Sequence, residues 1–268
     1  MIFKSIKTKL ITAIAVTALA YTPVKVNAWG MLGHRIVGEV ADSYLKAKTR
    51  KAITGILGSE SLAMSANWGD FIKSDTAYNY LYNWHFVNLQ AGLTKEGVFN
   101  FLENDKGPNV YSKIPDLIAI LKNKASTLDQ KKLAIRMLVH LVGDLHQPMH
   151  TARKEDLGGN RISVLWFNEK SNLHRVWDEQ LIDYQQLSYT EYTKAINHPS
   201  AVQLYNWQNA SLKDCVFESY QVCNKIYDNI KPEAKLSYRY NFEWIDILNE
   251  QLVKGGVRLA KILNDIYA

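Results

Sequence analysis

Apolar residues recur at helical spacing through most of this chain. Between residues 31 and 47, Ile36, Val37, Val40, Ala41, Tyr44 and Leu45 line one helix face. Shorter helices are expected over 52–57 and 62–72, and a further one over 110–122. Residues 78–89 are rich in aromatics without a helical period and read as extended or irregular. Thr127 with Gln130 three positions on has the form of a capping box, opening a long apolar helix that runs into the 140s. A convincing strand pattern occurs only over 161–167, after the turn-forming Gly158-Gly159-Asn160, and suggests half of a small hairpin. Helices resume near His174 and continue over 190–196, 201–229 with a break, and 242–267. No repeat, low-complexity stretch or interdomain linker interrupts the pattern. The expected fold class is all-α: one compact multi-helix domain with a small β-hairpin near 161–167.

The first 28 residues follow a different pattern. Lys4, Lys7 and Lys9 precede an uncharged run from Leu10 to Ala20, too short to span a bilayer as a mature helix, and Val26-Asn27-Ala28 offers small residues for cleavage. Residues 1–28 therefore read as a removed signal peptide, and 29–268 as the mature domain beginning at Trp29. A secreted or periplasmic protein without stable membrane association is expected. Removing four lysines lowers the formal charge from +6 to +2, so the basic balance of the full chain gives no argument for a basic surface. Cys215 and Cys223 lie eight apart in a helical stretch, about 12 Å along the axis, which is beyond a disulfide's reach. Both are expected to be buried thiols.

The chemistry concentrates in His140-Leu-Val-Gly-Asp144-Leu-His146-Gln-Pro-Met-His150, which holds three of the seven histidines. His140 and Asp144 share a helix face at i, i+4 and can grip one ion, and Pro148 ends the helix so that His150 can turn away. His174-Arg-Val-Trp-Asp178 repeats the His/Asp spacing. Asp70 and His85 sit in Trp68-Gly-Asp70 and Trp84-His85, and Trp29-Gly-Met-Leu-Gly-His34 lies at the new N-terminus. A single buried histidine is usually structural, but so many beside carboxylates favour metal ligation.

Taken together, Trp29-x4-His34, Asp70-x14-His85, His140-x3-Asp144-x5-His150 and His174-x3-Asp178 resemble the ligand motifs of the trinuclear-zinc, single-strand-specific nucleases (type I nucleases of fungi and plants). The resemblance implies three Zn2+ per chain. One zinc would take Asp70, His85, His140 and Asp144. A neighbour would share Asp144 and take His34 with the amine and carbonyl of Trp29. The third would take His150, His174 and Asp178. The Trp29 amine exists only after cleavage behind Ala28, so signal removal would complete the site. The implied reaction is metal-assisted hydrolysis of single-stranded DNA and RNA, with the third zinc at the departing 3′-oxygen and a 5′-phosphate product, and 3′-nucleotidase activity compatible with the same site. Asp70 would also orient the attacking water, and Lys73 would steady the transition state.

Phe86 matches the family's base-stacking aromatic. Asn88 stands where relatives often carry an aspartate that reads adenine, so base preference is expected to differ or relax. Glu179 replaces a smaller neutral residue, and Asn160 resembles a polar residue that supports the site. His146 is expected to be structural, His198 exposed, and Trp207, Tyr220, Tyr227, Tyr240 and Trp244 part of the core. Arg35 and Arg175 follow ligands directly and could meet phosphate or simply face solvent. A monomer acting on single-stranded nucleic acid is expected. The alternatives are a zinc-dependent phospholipase C, against which the short Trp29-to-His34 spacing and Asp178 argue, a phosphomonoesterase, which is compatible with the same site, and a secreted zinc-binding protein without turnover.

Overall fold

The computed structural model describes residues 29–268; the signal peptide assigned to residues 1–28 lies outside the described residues. Twelve helices and one three-stranded sheet form a single compact domain among them, 69% of it helical, as the apolar periodicity requires. In chain order the helices are α1 (Met31–Ser43), α2 (Ala47–Leu57), α3 (Leu62–Ser65), α4 (Trp68–Phe71), α5 (Lys95–Asn104), α6 (Val110–Lys122) and α7 (Leu128–His146). There follow α8 (173–183), α9 (Tyr189–Ile196), α10 (Ala201–Asn209), α11 (Leu212–Asp228) and α12 (Tyr238–Tyr267). The strands are β1 (Ser163–Trp166), β2 (Glu169–Asn172) and β3 (Ala234–Leu236), in the order β2-β1-β3.

The centre of the molecule is α7. Its capping box forms as the sequence suggests: Thr127 Oγ1 accepts from the Gln130 amide, and Gln130 Oε1 accepts from the Thr127 amide. From Met137 to His146 every residue is buried. Such a helix needs apolar cover on all sides. Helices α1, α6, α11 and α12 pack around it, while α12 also lies along α1. The expected core aromatics Trp207, Tyr220, Tyr227, Tyr240 and Trp244 are all buried.

Several local outcomes differ from the expectations. The stretch 62–72 is not one helix but α3, α4 and a 3₁₀ turn, Ile72–Ser74. Of residues 78–89, expected to be extended or irregular, 78–85 belong to a 3₁₀ helix, Thr76–His85, and 86–89 are extended. A three-residue turn has no 3.6-residue signature, which is why the period did not show it. Helix α5 was not anticipated; it buries only Val98 and Leu102 and so carries a weak apolar stripe. The hairpin forms with Ser163 opposite Asn172 and Trp166 opposite Glu169, its two turn residues Phe167 and Asn168 both at positive φ. Strand β3 adds in parallel to β1. Cys215 and Cys223 are buried free thiols, and burial pushes the Cys215 thiol up to about 11.

Candidate active site

The last two turns of α7, the residues after it, and the starts of α1, α4 and α8 converge on one buried cluster. Asp144 sits at its centre, wholly buried. His85 Nδ1 lies 3.0 Å from Asp144 Oδ2 and His140 Nε2 3.2 Å from the same oxygen. His34 Nε2 is 3.5 Å from Asp144 Oδ1, and its ring stacks on His140 at 3.9 Å between centroids. Asp70 Oδ1 approaches His140 Nε2 at 3.7 Å and accepts a hydrogen bond from Lys73 Nζ at 2.6 Å. A second grouping follows: His174 Nε2 is 2.9 Å and His150 Nε2 3.8 Å from the Asp178 oxygens. Asp178 lies in a π-helical turn, Val176–Gln180, which re-aims its carboxylate within α8.

These distances fit donor atoms gathered around a metal, and without one His85 Nδ1 stands within hydrogen-bond reach of both Asp144 Oδ2 and His140 Nε2. Ligand atoms of a tetrahedral zinc stand about 3.3 Å apart, given bonds of about 2.0–2.1 Å. Three sets, His34/Asp70/His140, His85/His140/Asp144 and His150/His174/Asp178, each gather donor atoms within 4.8 Å of one another. His140, His150 and His174 place Nδ1 2.7, 2.7 and 2.6 Å from the carbonyl oxygens of Ala66, His85 and Gly158. An Nδ1–H donated to a carbonyl leaves the Nε2 lone pair pointing into the cluster, the tautomer that metal ligation uses. Both His34 ring nitrogens, His85 Nε2, His150 Nε2 and Asp144 Oδ1 are shielded from solvent and have no hydrogen-bond partner. So many orphaned polar atoms in one place are costly unless a cation satisfies them.

The electrostatics agree. Burial, then the charges of His140, His150 and Lys73, hold His34 well below the usual imidazole range. Burial does the same to His85, with Lys73 next, and to His150, with His174 next. Burial also lowers His140, but Asp144 and Asp70 beside it outweigh that and leave it raised. The Asp144 carboxyl is pushed up to about 6 by burial, against the pull of His140. Burial raises Asp178 too, opposed by His174 and Gln147. Neutral histidines are the ligating form, and a dication would bring the carboxyls back down.

The N-terminal residues reach into this cluster. Trp29 is fully buried, and its Nε1 donates to the Gly143 carbonyl at 2.7 Å. The Gly30 amide donates to the Asp178 carbonyl at 2.8 Å. Gly143 is small for a reason: a Cβ there would stand 2.8 Å from His34 Nδ1. Gly158, at φ +66, occupies a conformation unfavourable to other residues, and a Cβ would meet the Met149 carbonyl at 2.8 Å.

Beside the cluster lies an open pocket lined by Phe86, Asn88, Tyr82, Met149 and Leu157, with Lys73, His85, His150 and His174 on the side facing the cluster. Residues 86–89 are extended because the Val87 and Leu89 amides bond the carbonyls of His150 and Ala152. Period two then turns Phe86 and Asn88 to the same side.

Not every expected site residue sits at the cluster. The Asn160 amide donates to the Leu157 carbonyl at 2.8 Å and so braces the turn that carries Gly158. Glu179 accepts from Arg175 Nε at 3.2 Å. His146 faces away, bonding the Val142 carbonyl and Arg258 Nη1, and His198 is exposed. One contact was missed: buried Gln147 donates to Asp178 Oδ1 while its Oε1 accepts from the Met149 amide. A glutamine inside an otherwise apolar and ligand-bearing stretch was the available signal.

A multi-helix domain with a buried His/Asp cluster able to hold metal, beside an aromatic-lined pocket, has the form of a metal-dependent hydrolase. Similarity to known proteins narrows the class. The family model "S1/P1 Nuclease" matches residues 29–268. Nuclease S1 of Aspergillus oryzae is 32% identical over 262 residues, covering 88% of this chain and 91% of the relative. Endonuclease 5 of Arabidopsis thaliana is 30% identical, with 90% of each chain covered. Nuclease P1 of Penicillium citrinum is 27% identical over 89% of this chain and 98% of its own. The chain belongs to the S1/P1 nuclease family, whose members are zinc-dependent and single-strand-specific. It is an enzyme that hydrolyses phosphodiester bonds.

Proposed function

We propose that this protein is an exported endonuclease that cuts single-stranded DNA and RNA to 5′-phosphorylated fragments with three zinc ions per chain. The observation that carries the reading is the cluster of buried, unpartnered ligand atoms around Asp144. In this reading one zinc would be held by Asp70, His85, His140 and Asp144. A second would take Asp144, His34 and the Trp29 amine and carbonyl, and a third His150, His174 and Asp178. Bound zinc supplies Lewis acidity and a water ionisable near neutral pH. The chain's own groups do the rest. Asp70 orients the attacking water and fixes Lys73, whose ammonium stands on the side of the pocket facing the cluster and faces the charge that develops on the phosphoryl oxygens. Phe86 stacks a base, and Asn88 beside it offers both a donor and an acceptor, so base preference is relaxed relative to a carboxylate. Gln147 holds the Asp178 carboxylate in its π-helical turn.

Residues 1–28 act as a signal peptide whose removal frees the Trp29 amine, and full burial of Trp29 beside the cluster supports that role. Among the described residues no helix is long and apolar enough to cross a membrane. The mature enzyme works as a monomer. The test is chelation: stripping zinc abolishes cleavage of a single-stranded oligonucleotide and adding zinc back restores it. Full activity in a metal-free sample contradicts the reading.

A further inference from the structure

The Asp70–Lys73 pair divides two clefts. Lys73 faces the Phe86 pocket, and Asp70 faces a second, wider cleft between the start of α1 and the α3–α4 segment. Nothing in the reading above uses that second cleft. Its rim carries unusually exposed apolar side chains: Phe71 is 75% exposed, Met31 67% and Met64 49%. Its walls carry unused polar groups: Arg35 Nε and both side-chain atoms of Asn67 are shielded from solvent without a hydrogen-bond partner. The exposed Phe71 ring offers a stacking face, and Arg35 and Asn67 in the cleft lining bring a guanidinium and an amide of the kind that bind a nucleoside's heteroatoms.

The direction of the substrate follows from the first pocket. It is lined by His150 and His174, the group assigned above to the departing 3′-oxygen, so it takes the nucleoside that keeps that oxygen. An endonuclease's strand continues beyond the reacting phosphorus, and the cleft on the far side of Asp70 is where it emerges. We propose that this cleft is the subsite for the nucleoside on the 5′-phosphate side of the cut bond, with Phe71 as its stacking platform and Arg35 and Asn67 as its polar contacts. The assignment rests on the nuclease reading. The opposite wall carries Glu179 and Asp183. Glu179 pairs with Arg175, and Asp183 makes this wall acidic.

Two substrates separate the clefts: a dinucleoside phosphate, and the methyl phosphodiester of the same 3′-linked nucleoside. Both add water across the same P–O3′ bond and lose the same leaving group; only the first fills the second cleft. With zinc-loaded mature protein, the ratio of kcat/KM for dinucleoside over methyl ester is the readout. Base stacking on an aromatic side chain converts to a drop of about five- to hundred-fold in that ratio for Phe71→Ala. Arg35→Gln lowers the same ratio. Phe71 is largely exposed, so its truncation leaves the packed core intact. A ratio equal to wild type in both variants, or rates that fall in parallel on both substrates, overturns the subsite. Wild-type protein that cleaves neither substrate refutes the nuclease reading itself, and this assignment with it.

Discussion

Replacing Asp144 by Asn moves the metal-free and the zinc-loaded protein in opposite directions. The carboxylate is wholly buried, with nitrogens of His85, His140, His150 and His34 at 3.0, 3.2, 3.4 and 3.5 Å. Burial raises its pKa from 3.8 to about 6. The folded metal-free state therefore holds the proton more tightly than the unfolded chain. The penalty for ionising it grows as pH rises from 3.8 towards 6, is complete above that, and is absent below 3.8. Raising a carboxyl that far is worth on the order of 3 kcal/mol. Asparagine keeps the shape without the charge, and its amide can donate to the His140 Nε2 lone pair. With the Asp144 charge gone, the main group that raises His140 is gone too, so burial favours its neutral form and no orphaned charge remains. Without zinc at pH 7.5 the variant is more stable than wild type by at most about 3 kcal/mol, which is worth about 2–4 °C of Tm per kcal/mol in a chain of this size. That advantage shrinks towards zero as pH is lowered to 4. With zinc the proposed reading predicts the reverse order, because Asp144 would be a ligand and the amide would lack its charge. Scanning calorimetry in chelator and in zinc, at both pH values, measures all of this. A variant less stable than wild type in chelator at pH 7.5, or stabilised by zinc as much as wild type, refutes the reasoning.

Other consequences are equally direct. Gly158→Ala puts a side chain at φ +66 and against the Met149 carbonyl, so it should cost about 1–2 kcal/mol and disturb the His174 orientation; a Tm shift with loss of one zinc per chain by metal analysis checks it. One extra residue before Trp29 should lower zinc content and rate together, and unchanged values would remove the amine from the site. Zinc binding measured by calorimetry in buffers of different ionisation enthalpy should release more protons at pH 5 than at pH 7, because Asp144 titrates near 6 in the metal-free fold and is still protonated at the lower pH. Phe86→Ala should lower kcat/KM on oligonucleotides by about five- to hundred-fold while the zinc content stays at the wild-type value.

The long helices and the ligand motifs were legible because each rests on a local regularity. Helix α7 announces itself by its capping box, its apolar periodicity and the proline after it, and His140 with Asp144 needs only i, i+4 spacing. The fixed spacings of Trp29 to His34 and His174 to Asp178 likewise pointed to a common site. What the sequence hid depends on distant partners. The 3₁₀ coil of 76–85 has no pattern of its own, and the extended run 86–89 exists because carbonyls of His150 and Ala152 accept its amides. Gln147 matters only because a π-helical turn, invisible in the spacing of His174 and Asp178, brings the carboxylate to it. Helix α5 and β3 are short and half-exposed, so their apolar stripes carried little signal. Asn160 shows the reverse case: a polar residue in the right motif that acts on the site only through its loop.

In the proposed reading the cluster, once loaded with zinc, cleaves single strands. The most direct test is a time course with zinc-loaded protein beginning at Trp29, on matched single-stranded and duplex oligonucleotides, with phosphatidylcholine hydrolysis followed in parallel. Rapid conversion of the single strand to 5′-phosphorylated fragments, with the duplex slower and the lipid untouched, is the expected result. Lipid cleavage with both nucleic acids intact would contradict the account.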